Sequence, residues 1–323
     1  MTQTGHQNGS NDSASWAVIA MLIASVMAIE ITRPLPLALG SLSSLALACA
    51  ALGAAATFYR RVRVNERFSA CCIGLTQALT FSAAGSILSY LLARDSGSLW
   101  DPTLQRWDHV LGFDWLGYAR AVDAHAWASY ACRFAYGSLI PQTVVVILAL
   151  GFSGQIERLR IFILAAIVSG SAAVLASPWF PAVGNFAHLG LHPGDFAHVW
   201  QSSNLADVRD FLAVRRGSLP SLDLRTMQGI IVFPSYHGAL AAVTLWAFWS
   251  SRLAWLRWFG SLLALTTIAA TPVFGGHYLV DIIAGLALAL ASIAVASRLV
   301  YARISLPALM AWPSRRLRGA FAR

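Results

Sequence analysis

Lysine is absent from this chain: all 23 basic residues among the 323 are arginine, set against 14 acidic ones. Charged residues make up only 11% of positions, whereas a soluble domain carries about 25%. Hydrophobic residues fill 57%, more apolar bulk than so little polar surface can shield from water. Cysteine is scarce too. Cys49, Cys71, Cys72 and Cys132 lie in apolar stretches, with neither zinc-ligand spacing nor the pattern of a secreted disulfide framework. They read as small buried hydrophobes. No basic n-region precedes the first apolar run, near residues 16–31, which therefore reads as a retained anchor rather than a cleaved signal. The net charge of +9 comes without a basic groove motif, which argues against nucleic acid as a partner.

What the chain has is long apolar runs. A spanning helix needs about 20 mostly apolar residues. Eight such segments are expected, near 16–32, 36–58, 68–93, 130–152, 160–181, 228–250, 254–273 and 278–300. The expected fold class is therefore all-α, a polytopic transmembrane bundle. Residues 1–15 read as a disordered polar leader and 16–67 as two extra N-terminal helices. Residues 68–300 read as a six-helix core with long polar loops at 94–129 and 182–227, and 301–323 as a basic tail. The first long loop sets Trp100, Trp107, Trp115 and Trp127 among acids, and a short interfacial helix is expected over 104–114. It reads equally as a lid, a lipid-access rim or packing over the helices.

Loop charge gives an expected orientation. Arg60, Arg61, Arg63 and Arg67 follow the second segment, Arg158 and Arg160 the fourth, and Arg252 and Arg257 the sixth. With eight crossings these places and the basic tail share one side, and positive loops stay cytoplasmic. Arg33 is the one short-loop exception. Both termini are then expected in the cytoplasm and both long loops outside. Arginine in place of all lysine, with abundant alanine, suggests a GC-rich bacterium and hence its plasma membrane.

Two motifs carry ionisable groups, which are expensive in or beside a bilayer and mark function by default. The first is Phe233-Pro234-Ser235-Tyr236-His237-Gly238. Proline suits a first helical turn, and a helix N-terminus offers free N–H groups to an anion. Ser235 adds a hydroxyl, and Gly238 permits close backbone approach. The second is Gly275-Gly276-His277-Tyr278-Leu279-Val280-Asp281. His277 and Asp281, four apart, share a helix face. A carboxylate on one ring nitrogen fixes the tautomer and makes the other nitrogen the better nucleophile. Either histidine alone could simply bond a neighbouring helix. Two ligands are too few for a metal site, so no metal or cofactor is expected. Both motifs fall on the same expected face.

Pro-Ser-x-His followed about forty residues later by His-x-x-x-Asp resembles the type 2 phosphatidic acid phosphatase superfamily. The His277-Tyr278-x-x-Asp281 form, the Phe-Pro-Ser lead-in and the stretch Trp107-Asp108-x-x-Leu111-Gly112-Phe113-Asp114-Trp115 resemble its inositol phosphorylceramide synthase and sphingolipid synthase branch. The likeness covers roughly residues 95–300. It implies a six-helix core and a metal-free mechanism. In that mechanism His277 forms a phosphohistidine, Asp281 orients it, and His237 protonates the leaving alkoxide.

The chain also departs from the pattern. The phosphatase members carry Lys-x6-Arg-Pro; the only Arg-Pro here is Arg33-Pro34, with Val26 at the lysine position. They carry Ser-Arg before the last histidine, where Ala270-Thr271 stands. Phosphoryl transfer rests on positioning and charge stabilisation. Arg215, Arg216 and Arg225, in the loop leading to the sixth segment, are therefore the candidate replacements, with Ser235, Gly238 and Tyr278 as further phosphate-binding candidates. For each arginine, contact with lipid headgroups or loop acids such as Asp223 is an equal reading. The expected partner is a lipid phosphate or phospholipid in the membrane; oligomeric state is not legible. Headgroup transfer is favoured, a lipid phosphate phosphatase is the alternative, and a transporter is the rival of another class. Transporters place charges near the midplane, whereas these segments keep theirs at one face.

Overall fold

The computed structural model describes residues 12–199, 202–227 and 229–310. The leader before residue 12 and the tail beyond 310 lie outside the described residues. The chain is an all-helical bundle, without strands among the described residues. Its helices are α1 Ser13–Thr32, α2 Leu39–Arg61, α3 Glu66–Ala93, α4 Asp101–Val110, α5 Trp115–Asp123, α6 Ala126–Gly137 and α7 Leu139–Phe152. There follow α8 Ile156–Ala176, α9 Asn185–His188, α10 Ser202–Arg215, α11 Tyr236–Trp249, α12 Ala254–Phe274 and α13 Leu279–Met310.

Six helices are long and apolar enough to cross a membrane: α1, α2, α3, α8, α12 and α13. Two of the eight expected spans take a different form. The fourth is a pair, α6 and α7, bent by 56° at Ser138. The sixth is shortened, because α11 has only 14 residues. At 1.5 Å per residue that is about 21 Å, short of a hydrocarbon core of about 30 Å. The cause is local. Proline biases the preceding residue away from helix, and Ser235 caps the helix that begins at Tyr236, its Oγ accepting from the Gly238 N–H at 3.1 Å. Residues 229–232 are consequently irregular, and they form a wall of the cavity described below.

α8 is the buried centre of the bundle, packed by α3, α11 and α13, with α1 and α7 beside it. Leu88 of α3, Ile147 of α7, Phe162 and Ile167 of α8 and Val243 of α11 fill the shared core. α2 lies outside, against α3. By contrast Leu39, Leu47, Trp255, Phe259, Leu262 and Leu290 stay exposed on the periphery, as lipid-facing residues do.

Side-chain and backbone contacts sort the connections into two ends. At one end Arg33 pairs with Asp95 at 2.6 Å, the Leu222 N–H donates to the Pro36 carbonyl at 2.8 Å, and Arg215 reaches Ser96 and Gly97. At the other, Arg67 donates to the Phe152 carbonyl, Gln155 and Arg158 donate to the Ser250 carbonyl, and Arg160 meets Asp12. The expected interfacial helix over 104–114 is α4, which starts earlier and ends at Val110; Gly112, at a φ of +75° that suits glycine, then turns the chain toward α5.

Candidate active site

The end that gathers the 33–38, 94–100 and 182–227 loops also holds both histidine motifs. His237 stands in the first turn of α11, and His277 in the turn between α12 and α13. α11 and α13 meet at very short range. A Cβ on Gly285 would lie 2.3 Å from the Ser235 carbonyl oxygen, so only glycine admits this crossing. The Ser235 N–H in turn donates to the Asp281 carbonyl at 3.0 Å. This crossing brings motifs some forty residues apart into one site.

His277 is 4% exposed and Asp281 fully buried. The Asp281 carboxylate accepts from the Tyr278 N–H at 2.9 Å, and the same oxygen sits 3.4 Å from His277 Nδ1. That contact is long for a charge-assisted bond, and catalytic contacts of this kind commonly shorten when substrate arrives. The other ring nitrogen, Nε2, lies 3.3 Å from Ser235 Oγ. The His237 ring stacks on Tyr136 with centroids 4.9 Å apart and an interplanar angle of 16°. It stands 6.4 Å, centroid to centroid, from the His277 ring. Both histidines line one cavity of about 100 Å³, closed also by Tyr136, Gly184, Phe211, residues 229–232, Gly275 and Gly276.

The His277 turn is held from outside by a network of buried acids. Asp108 of α4, 1% exposed, accepts from the Leu279 N–H at 2.8 Å and the Val280 N–H at 2.9 Å, capping α13 with a carboxylate from another helix. Asp101, equally buried, accepts from Val183 N–H, Gly184 N–H and the Tyr278 hydroxyl. Asn185 completes the clamp. Its N–H donates to the Gly276 carbonyl at 2.8 Å, and its side-chain amide donates to the His277 carbonyl at 3.1 Å. Gly184, at φ +83°, passes so close to the Gly276 carbonyl that a Cβ would lie 2.8 Å from it. Burial pushes the Asp108 carboxyl up, against the opposing pull of the two amides.

Several expected site residues are placed elsewhere. Tyr278 is fully buried, its hydroxyl committed to Asp101, and it does not line the cavity. Gly238 donates its N–H to Ser235 Oγ and packs toward Ile282, because the serine cap takes the amide an anion would need. None of Arg215, Arg216 and Arg225 lines the cavity among the described residues. Arg215 lies over the outer face of Phe211, 5.3 Å from the ring centroid, and donates to Ser96 and Gly97. Arg216 donates back to the Leu212 carbonyl, and Arg225 is exposed, 3.9 Å from Asp223. Among the described residues only Arg215 is bonded to loop oxygens; Arg216 reaches a carbonyl of α10, and the Arg225–Asp223 pair is an exposed one of little strength.

The cavity instead receives Asp207 of α10. Burial, reinforced by the nearby charge of Asp210, pushes its carboxyl up to about 7. Sequence reasoning did not single out Asp207, Tyr136, Asp101 or Asn185. The last two open the helices α4 and α9, and only the third dimension joins them to His277.

Two facing imidazoles, one backed by a carboxylate, at one end of an apolar helical bundle make a membrane-embedded site of the kind that handles phosphate esters. A family model described as the PAP2 superfamily matches residues 102–295, more than half of the chain, and the chain belongs to that superfamily. It is thereby a lipid-type phosphatase or phosphotransferase. Neither a search among curated proteins nor one among solved structures gives a significant match.

Proposed function

We propose that the chain moves a phospho-headgroup to or from a lipid through a phosphohistidine on His277, in the manner of the inositol phosphorylceramide synthases. The observation that carries this reading is the convergence of His277, Asp281 and His237 on one cavity. In the first step the His277 Nε2 lone pair attacks phosphorus. The bond from phosphorus to the leaving lipid oxygen breaks, its electron pair passes to that oxygen, and His237 supplies the proton. In the second step His237 takes the proton of an acceptor hydroxyl. That oxygen attacks phosphorus, and the P–N bond breaks with its electrons returning to Nε2. Asp281 holds the Nδ1 proton throughout and offsets the positive charge that develops on the ring.

Transfer is favoured over monoester hydrolysis by the charge of the cavity. A phosphate monoester carries more negative charge than a diester and calls for more cationic contacts. No arginine lines the cavity among the described residues, and an acid does. The purified protein is therefore expected to move the headgroup of a phosphodiester lipid to an alcohol acceptor at least ten times faster than it releases inorganic phosphate from phosphatidic acid. Thin-layer separation of radiolabelled products measures both rates. Rapid phosphate release without headgroup movement would make the enzyme a lipid phosphatase.

The site is proposed to face the outside of the plasma membrane, with both termini in the cytoplasm. The support is the sorting of loop arginines, with Arg67, Arg158 and Arg252 gathered at the end away from the histidines. In a background with the four cysteines replaced by alanine, Ser218→Cys in the outer loop is expected to react with an impermeant maleimide added to intact cells. Labelling only after the cytoplasmic side is opened would reverse the arrangement.

A further inference from the structure

The Asp207 carboxylate is an unusual group to find beside a phosphate site. It lines the same cavity as His237 and His277, and no lysine or arginine accompanies it among the described lining residues. Its Oδ1 is buried and has no hydrogen-bond partner. The neighbouring acid, Asp210, lies 3.8 Å from Arg209, whereas Asp207 has no such cation among the described residues. Leaving a carboxylate buried and unpaired is costly, and the cost is met when a ligand brings the partner. The phosphate itself is the wrong partner, being an anion. The two imidazoles give the cavity one end suited to phosphate, and Asp207 gives it another suited to positive charge. Rings of Tyr136, Phe186 and Phe211 also line it, and aromatic faces attract alkylammonium groups.

We propose that Asp207 binds the cationic end of a zwitterionic headgroup, so that the site takes a phospho-amino-alcohol, with its phosphate at His277 and its ammonium at Asp207. Such a headgroup is complementary to the cavity at both ends, and a neutral polyol is complementary only at the phosphate. The carboxyl that burial holds near neutrality becomes fully ionised once an ammonium group is beside it. The inference rests on the phosphohistidine reading for its catalytic form. The binding preference follows from the cavity alone.

Two measurements keep these apart. The first is binding of soluble phosphocholine and of glycerol phosphate to the detergent-solubilised full chain, followed by calorimetry without turnover. Wild type is expected to prefer phosphocholine, and Asp207→Asn to lower that preference at least tenfold, while Asp207→Glu keeps it. The second is headgroup release from phosphatidylcholine, phosphatidylethanolamine and phosphatidylglycerol micelles, where the ratio of kcat/KM for the amine donors to that for the glycerol donor should fall at least tenfold in Asp207→Asn. Three outcomes overturn the proposal. One is a ratio unchanged within twofold in Asp207→Asn. Another is a ratio that rises, as a hydroxyl-binding acid would give. The third is an equal loss on all donors in Asp207→Ala, the sign of a protonated carboxyl bonding phosphate. Turnover that survives His277→Ala would defeat the phosphohistidine reading and leave the binding result standing.

Discussion

Replacing His277 with alanine is expected to lower turnover by about 10⁴-fold or more and to abolish acid-labile phosphate labelling of the protein. The nucleophile is removed outright, and only a weakly positioned water is left to attack phosphorus. His237→Ala should cost about 10²–10⁴-fold, the usual contribution of a positioned proton donor. Asp281→Asn should fall in the same range, because an amide disturbs the tautomer that points Nε2 at phosphorus. A donor with a p-nitrophenolate leaving group separates the roles. That group departs without protonation, so it should restore much of the lost first-step rate in His237→Ala and none in His277→Ala. Retention of more than a tenth of wild-type turnover by His277→Ala, with phosphate still bound to protein, would place the nucleophile elsewhere.

The second large effect is expected on stability as much as on rate. Asp108→Ala strands two half-buried amide donors, those of Leu279 and Val280. An unsatisfied donor costs about 1–3 kcal/mol when fully buried, and these two are half-buried, so roughly 1–3 kcal/mol in all is expected. Asp101→Ala strands two amides and the Tyr278 hydroxyl and should cost at least as much. Tyr278→Phe removes one hydroxyl and should cost only about 1 kcal/mol, with little change in KM, since the ring lies outside the cavity. Unfolding in detergent by denaturant, paired with turnover below the transition, measures both. If Asp101→Ala and Asp108→Ala each stayed within about 0.5 kcal/mol of wild type, the clamp on the His277 turn would have no energetic content.

The fold is most legible in the sequence where the physics is local. Apolar runs of 20 or more residues mark helices because a bilayer demands it, and α1, α2, α3, α8, α12 and α13 answer to them. The His277–Asp281 spacing is a statement about one helix turn, and the two side chains do meet. The Pro-Ser pair marks a helix start, yet its consequence for span length was missed, because an apolar approach such as residues 229–233 looks the same whether helical or extended. The arginine assignment rested on chain proximity to Ser235. In the structure Arg215 and Phe211 lie on one helix, and the ring takes the cavity while the guanidinium takes the outer loop. Asp101 and Asn185 carry no local signal at all. Their partners are 82–177 residues away in sequence.

That separation has a consequence for the order in which the protein is made. The Asp108 carboxylate leaves the ribosome 171 residues before the first amide it will cap. Until α13 is synthesised and inserted, Asp108 has no mate, Asp101 holds only the Val183 and Gly184 amides, and Asn185 has no His277 turn to grip. The His277 turn therefore assembles last, as a closing step that joins the earliest and latest parts of the site, with the slow, long-range loop closure such contacts entail. A chain released before its final span thus lacks Asp281 and the amides of Leu279 and Val280, and the Ser235 turn beside His237 loses the crossing that holds it.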